Sequence, residues 1–243
     1  MNIIKLDAIN STNDYLKKLL QRQFVENFTI VTAENQTNGR GQMGSQWNVE
    51  EGKNLTFSVL VKDLLLEINH IFHLNVAVAV SIVEALSFLE IKDLAIKWPN
   101  DILAEGKKIG GILIENSIKS DGEIFSIVGI GLNINQKNFG DLPKASSLAV
   151  LKNKEFDKSE ILTSILQNLG RNISMIMNKN TDPIWKKYHS VLYKNGIPMP
   201  FENAQNEKFM GIIQGVSQTG KLQVKLEDNL VQSFEIKEVK MLY

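Results

Sequence analysis

The sequence predicts an α+β protein: a mixed β-sheet with packed helices over residues 1–194, followed by a small β-barrel over residues 195–243. Two observations carry this. Segments of period two and segments of helical period interleave up to residue 194, the pattern of strands and helices sharing one core. Asn195-Gly196, followed by Pro198 and Pro200, then marks a boundary beyond which only short strand-like runs remain.

Taken in order, residues 2–9 alternate as a strand. Ser11 and Thr12 place side-chain oxygens ahead of residues 13–21, where Tyr15, Leu16, Leu19 and Leu20 make a helical stripe, so this is a capped helix start. A strand over 28–34 leads into a glycine-rich loop, QTNGRGQMGSQW at 36–47, and another strand covers 55–61. Residues 69–89 are apolar nearly all round, as a helix packed on a sheet should be. Residues 94–98 read as a short strand, and 102–103 and 109–114 as the arms of a β-hairpin turning over Glu105-Gly106. A long strand over 123–135, a loop over 137–147, and helices over 158–178 and 184–193 complete the larger unit. In the smaller one, strands over 208–216, 221–226 and 231–235 are separated by Thr219-Gly220 and Asp228-Asn229.

Composition narrows the function. The chain has 243 residues, 43% of them hydrophobic and 22% charged, an ordinary globular mix that can bury a sizeable core. Lys plus Arg and Asp plus Glu both number 27, so no global field recruits nucleic acid or an anionic membrane. With no cysteine there is no disulfide, thiolate nucleophile or cysteine zinc site. The amino terminus lacks a basic then apolar signal segment, and the longest apolar run, 76–83, falls far short of the ~20 residues that span a bilayer. The simplest address is the cytoplasm.

Three stretches carry chemistry. In KWPNDILAEGKKIGGILIE, 97–115, polar and charged residues stand where a buried strand should be apolar. Pro99 cannot donate to a ladder, so Asn100 and Asp101 are expected at a strand end facing open space. Gly110 and Gly111 let backbone approach a ligand, and Lys107 and Lys108 bring ammonium groups to the same end; a plain surface hairpin with solvated lysines is the alternative. The loop at 36–47 offers backbone N–H groups and Arg40 to an anion, although its spacing fits neither a Walker A loop nor GxGxxG opening a helix. In GIGLNIN, 129–135, Gly129 and Gly131 share one face of a strand, either as a flat wall for a ring or as a site of bulging or tight packing. His70 and His73 lie three apart on a helix, but no further ligand completes a metal site around them.

Together GRGQMGSQW, KWPNDILAEGKKIGGILIE and GIGLNIN resemble the biotin protein ligases, with the motifs in family order and the likeness covering nearly the whole chain. The resemblance implies a class II synthetase-like biotinyl/lipoyl ligase domain with an SH3-like C-terminal barrel. It implies that ATP and Mg2+ activate biotin to biotinyl-5'-AMP, and that biotin then passes to a lysine of a biotin carboxyl carrier domain. It places biotin against Ser11, Thr12 and Asn13, with the Ser11 and Thr12 hydroxyls meeting the ureido ring, and against Gln36, Gly39, Arg40, Gly41 and Gln42. Lys108, Gly110, Gly111, Gly129 and Gly131 complete that set, with Lys108 preferred to Lys107 because it directly precedes Ile-Gly-Gly. Trp47, Asn100 and Asn133 fall to the nucleotide, and Arg40, Lys108 and Asp101 to catalysis, Asp101 either handling the incoming amine or only capping the hairpin. No metal ligand is assigned.

Two departures stand out. Many relatives have GRGRRG where this chain has Gly39-Arg40-Gly41-Gln42-Met43-Gly44, so two cations are missing from the loop. The chain also opens directly into the catalytic domain, so no helix-turn-helix module and no DNA binding are expected. Pairing of two copies through a sheet edge, as in several relatives, stays open. The loop at 36–47 is expected to be mobile without ligand. The rival readings are a lipoate or other acyl ligase of the same fold and a non-enzymatic binding module.

Overall fold

The structure, a computed structural model, describes residues 2–62, 64, 70–118 and 124–243. Up to residue 132 the chain lays down β1 (Ile3–Ile9), β2 (Ile30–Gln36), β3 (Leu55–Val61), β4 (Ala95–Lys97), β5 (Asp101–Ala104), β6 (Lys107–Ile118) and β7 (Ile124–Leu132). These form one sheet in the order β1-β2-β3-β7-β6-β5-β4. Helix α1 (Thr12–Arg22) carries the chain from β1 to β2, which are therefore parallel. All other neighbours are antiparallel, and the sheet is mixed, as expected.

Parity along the central strands decides what each face does. Phe57 and Val59 of β3 and Val128 and Ile130 of β7 turn to the main core, where α2 (Phe72–Leu86), α4 (Lys158–Met177) and α5 (Asp182–Ser190) pack. Leu60 and Ile127 turn to the other face and, with Leu16, Val25 and Val31, seat α1. Farther along that face the same parity gives Ser58, Gly129 and Gly131, which supply no apolar bulk to bury a helix. The pocket opens there. Helix α2, with the turn after it, is long and apolar enough over Phe72–Leu89 to cross a membrane by composition (mean hydropathy 1.8), but 72% of that stretch is buried in the protein, as a core helix must be. The expected helix start at residue 69 and strand start at residue 123 lie outside the described residues.

The hairpin forms where expected, with both turn residues in the left-handed region, Glu105 at φ 50° and Gly106 at φ 73°. Its pairing slips between Ile102 and Leu103, a β-bulge. Ile109 consequently goes into the core while Lys108 leans over Gly111, its Cε 3.5 Å from where a Cβ on that glycine would stand. Lys107 remains exposed.

Beyond residue 190, β8 (Pro198–Asn203), β9 (Lys208–Val216), β10 (Leu222–Lys225), β11 (Val231–Phe234) and β12 (Val239–Met241) form an antiparallel sheet in the order β11-β10-β9-β8-β12, the small SH3-like barrel. Strand β8 was hidden by its prolines. Pro198 and Pro200 lie beyond the residues that β12 pairs, which are Phe201, Glu202 and Asn203, so on that side no N–H is required of them. The barrel is tied to the larger unit by Trp98 Nε1, which donates to Gly220 O at 2.8 Å, and by His189 Nε2, 3.1–3.2 Å from the backbone O and N of Val216. Helix α5 starts two residues earlier than expected because Pro183 sits comfortably in its first turn. A short helix α3 (Leu148–Lys152), capped by Ser147, was not foreseen.

Candidate functional site

A cavity of about 290 Å³ opens on the α1 side of the sheet. Its floor is the backbone of β6 and β7, bare because Gly111, Gly129 and Gly131 carry no side chain there. A Cβ on Gly129 would stand 2.5 Å from Asn13 Oδ1, and one on Gly131 would overlap the Trp47 indole. Gly129 thus permits close packing against Asn13 of α1, and Gly131 lets the Trp47 ring lie on the strand backbone.

One end of the cavity is a dense polar network at the start of α1. Ser11 caps the helix, its Oγ accepting from the Asp14 N–H at 3.4 Å, and also lines the cavity. Gln36 Oε1 accepts from the Thr12 N–H at 2.8 Å and from its hydroxyl at 3.1 Å. Ser58 Oγ lies 2.7 Å from Thr12 Oγ1 and 2.5 Å from Asn13 Oδ1. These donors and acceptors, buried together at the base of a slot, suit a small polar ring.

The opposite end is charged. Asp101 is held between two lysines, its Oδ1 2.5 Å from Lys108 Nζ and its Oδ2 3.1 Å from Lys97 Nζ. Burial alone would pull the Lys97 ammonium down, but Asp101 and Tyr243 outweigh it and hold it above its ordinary value. Lys108 Nζ also stands 5.7 Å above the Trp47 ring, which lies across the glycine floor. Trp47 Nε1 is buried there without a hydrogen-bond partner among the described residues. The loop that carries Trp47 is closed on itself, with the Trp47 N–H donating to Gly39 O at 2.9 Å and the Gly41 N–H to Ser45 O at 2.7 Å.

A second, wider cavity of about 1070 Å³ adjoins the first, lined among others by Asn133, Gln136, Lys144 and Tyr243. The two compartments share Trp47 and Lys108. A ligand in each would meet at the Lys108 ammonium.

Several sequence expectations need correction. Gly110 does not face the cavity: a Cβ there would stand 2.5 Å from Leu132 Cδ2, so this glycine permits close packing in the core. Gly39 does not line the cavity either; it is required because a Cβ would run into the Trp47 carbonyl across the loop. Arg40 lines the first cavity, but its guanidinium is taken by Asp14 (2.5 Å) and Glu115 (3.3 Å) rather than left open to an anion. Asn100 and Asn133 spend their side-chain amides on structure, donating to Ile112 O at 2.7 Å and Ser146 O at 3.0 Å, while Asn100 lines the first cavity and Asn133 the second. Gly41 and Gln42 do line the first. Missed altogether were Lys97, Ser58 and Glu115. Glu115 was legible in principle, since it shares a strand face with Gly111 and Leu113 where an apolar residue would be ordinary.

Among the described residues no group of three or more His, Asp or Glu gathers so as to hold a metal ion. Asp101 already serves two lysines. The donor set does not fit a resident magnesium cage, and a hard cation here would arrive on its phosphate ligands.

The Biotin/lipoate A/B protein ligase family matches the chain over residues 6–135. The bifunctional ligase/repressor BirA of Bacillus spizizenii is 30% identical over 94% of this chain and 71% of its own length. The biotin--[acetyl-CoA-carboxylase] ligase of Mycobacterium tuberculosis is 27% identical over 79% of this chain and 71% of its own. In three dimensions the biotin protein ligase from Aquifex aeolicus in complex with biotin and ATP is similar with a TM-score of 0.82 at 27% identity, covering 99% of this chain and 98% of that one.

Proposed function

The chain belongs to the Biotin/lipoate A/B protein ligase family, and from that premise we propose that it is a biotin protein ligase. It activates biotin with ATP to biotinyl-5'-AMP and passes the biotinyl group to a lysine of a carrier domain. The observation that supports this best is the pair of adjoining compartments that share Trp47 and Lys108. Two anions that repel each other need a fixed cation at their meeting point.

We assign the narrower compartment to biotin, its fused ring against Gly129 and Gly131 and its ureido group at Ser11, Thr12 and Asn13. The wider one takes the nucleotide, with Asn133 in its wall. Because Trp47 lies on the same glycine floor, entry of a ring requires the loop at 36–47 to lift and reclose, which also shields the anhydride from water. A biotin carboxylate oxygen then bonds to the α-phosphorus as the bond to the β-phosphate oxygen breaks, and pyrophosphate leaves. Lys108, and Arg40 once released from its carboxylates, offset the charge that builds there. Magnesium accompanies the triphosphate, and no step is assigned to it. In the second step the carrier lysine's neutral amine attacks the acyl carbon, AMP leaves with the bonding pair, and the amine gives up a proton. Asp101 can take part only after Lys108 shifts to the phosphate, since both its oxygens are engaged beforehand.

The proposal places the catalytic unit at residues 1–194 and the barrel at 195–243, with a cytoplasmic address and a homodimer through a sheet edge. Pyrophosphate release with ATP, magnesium and either biotin or lipoate tests it: release should require biotin. Release with lipoate alone would make the chain a lipoate ligase, and none with either would favour a binding module.

A further inference from the structure

Glu115 takes no part in the chemistry above, yet its carboxylate is fully engaged. It stands on β6 on the same face as Gly111, opposite Ile127 of β7. Its Oε2 accepts from Asn13 Nδ2 at 2.7 Å and its Oε1 from Lys17 Nζ at 2.6 Å. Arg40 Nη2 lies 3.3 Å from both oxygens and 2.5 Å from Asp14 Oδ1. Asn13 in turn belongs to the network of Ser58, Thr12 and Gln36 at the base of the pocket. One hydrogen-bonded path therefore runs from the pocket floor through Glu115 to the arginine of the glycine-rich loop, and its two cations and two carboxylates balance.

We propose that Glu115 is a positioning residue that fastens the glycine-rich loop to the polar end of the pocket by seating Arg40 between its own carboxylate and that of Asp14. This rests on the assignment of Arg40 to the phosphate-facing charge. Ordering a glycine-rich loop is costly in backbone entropy, so a seat that holds Arg40 beforehand leaves less to be lost when the nucleotide arrives. A partly exposed ion pair is weak, so the guanidinium can exchange its carboxylates for a phosphate without being trapped. Glu115 thus acts through Arg40 and Asn13 and touches neither substrate.

Wild type, Glu115→Gln and Glu115→Asp distinguish this from simple support of the fold. Gln keeps an acceptor for Asn13 but cannot hold the arginine by charge, whereas Asp keeps the charge. Tryptic cleavage after Arg40 in the ligand-free protein should be about tenfold faster in Glu115→Gln. Its KM for ATP, read by biotin-dependent pyrophosphate release, should rise about tenfold with kcat within about threefold of wild type. Glu115→Asp should restore most of both at an unchanged thermal midpoint. Equal cleavage rates, a fall in kcat at unchanged KM, or losses that Asp does not restore would each overturn the proposal. If Glu115→Gln does not fold, Asp14→Asn tests the seat from its exposed side, and unchanged cleavage there overturns it equally. Cleavage needs no activity, so a chain that shows the cleavage difference but releases no pyrophosphate keeps the seat and loses only the ligase function.

Discussion

At the scale of single residues, the bulge at Lys108 separates two adjacent lysines that composition cannot tell apart. Lys108→Met should lower kcat by about 10²–10³-fold, the usual loss for one preorganised electrostatic donor, while Lys107→Met should leave pyrophosphate release near wild type. Lys108 was legible in the sequence only through its place before Ile-Gly-Gly; the bulge that turns it toward Gly111 was not. Gly110 was misread for the same reason, since the face a strand glycine serves depends on register. Glu115 carries a pH signature of its own. Burial would raise its pKa, but hydrogen bonds from Lys17 and Asn13 and the charges of Lys17 and Arg40 hold it below the ordinary 4.5. Its folded-state value is depressed, so its contribution to stability is complete above that pH and is lost as pH falls through the folded value. Thermal midpoints of wild type and Glu115→Gln should therefore converge as pH drops below 4.5.

At the scale of elements, β7 and the loop at 36–47 form one device. Gly131→Ala should preserve the fold yet displace Trp47 from the floor, raising KM for biotin and changing the tryptophan emission of the ligand-free protein; unchanged KM and emission would contradict the placement of that ring. The loop should resist protease better with biotinyl-AMP than without, and equal sensitivity in the two states would count against a closing role. Alternation over residues 2–9 made β1 legible, and the Glu105-Gly106 turn, left-handed at both residues, made the hairpin legible. Strand β8 was not, because β12 pairing only Phe201–Asn203 and leaving Pro198 and Pro200 bonded to β9 alone is a tertiary fact that no local propensity records. Arg40 was legible as a cation offered to an anion, but its carboxylate partners come from α1 and β6, far away in sequence.

At the scale of the whole molecule, the interface of α2 with α5 carries a second pH dependence. His73 packs edge-on against Trp185, ring centroids 5.6 Å apart, and burial together with His70 holds its pKa below 6.5. Burial of a neutral imidazole contributes stability above pH 6.5 that is lost as pH falls through the folded value, so His73→Phe should flatten the thermal midpoint of the protein below pH 6.5. The architecture was legible because periodicity and the Asn195-Gly196 break are local, whereas the meeting of two compartments at Lys108 depends on β5, β6 and the loop at 36–47 closing together. Whether that meeting point joins biotin to a carrier is decided most directly by intact-mass spectrometry of a biotin carboxyl carrier domain incubated with this protein, ATP, magnesium and an equal mixture of biotin and lipoate. One biotinyl group on a single lysine, absent when Lys108→Met replaces wild type, is the expected result. A lipoyl adduct, or an unmodified carrier in the presence of folded protein, would contradict it.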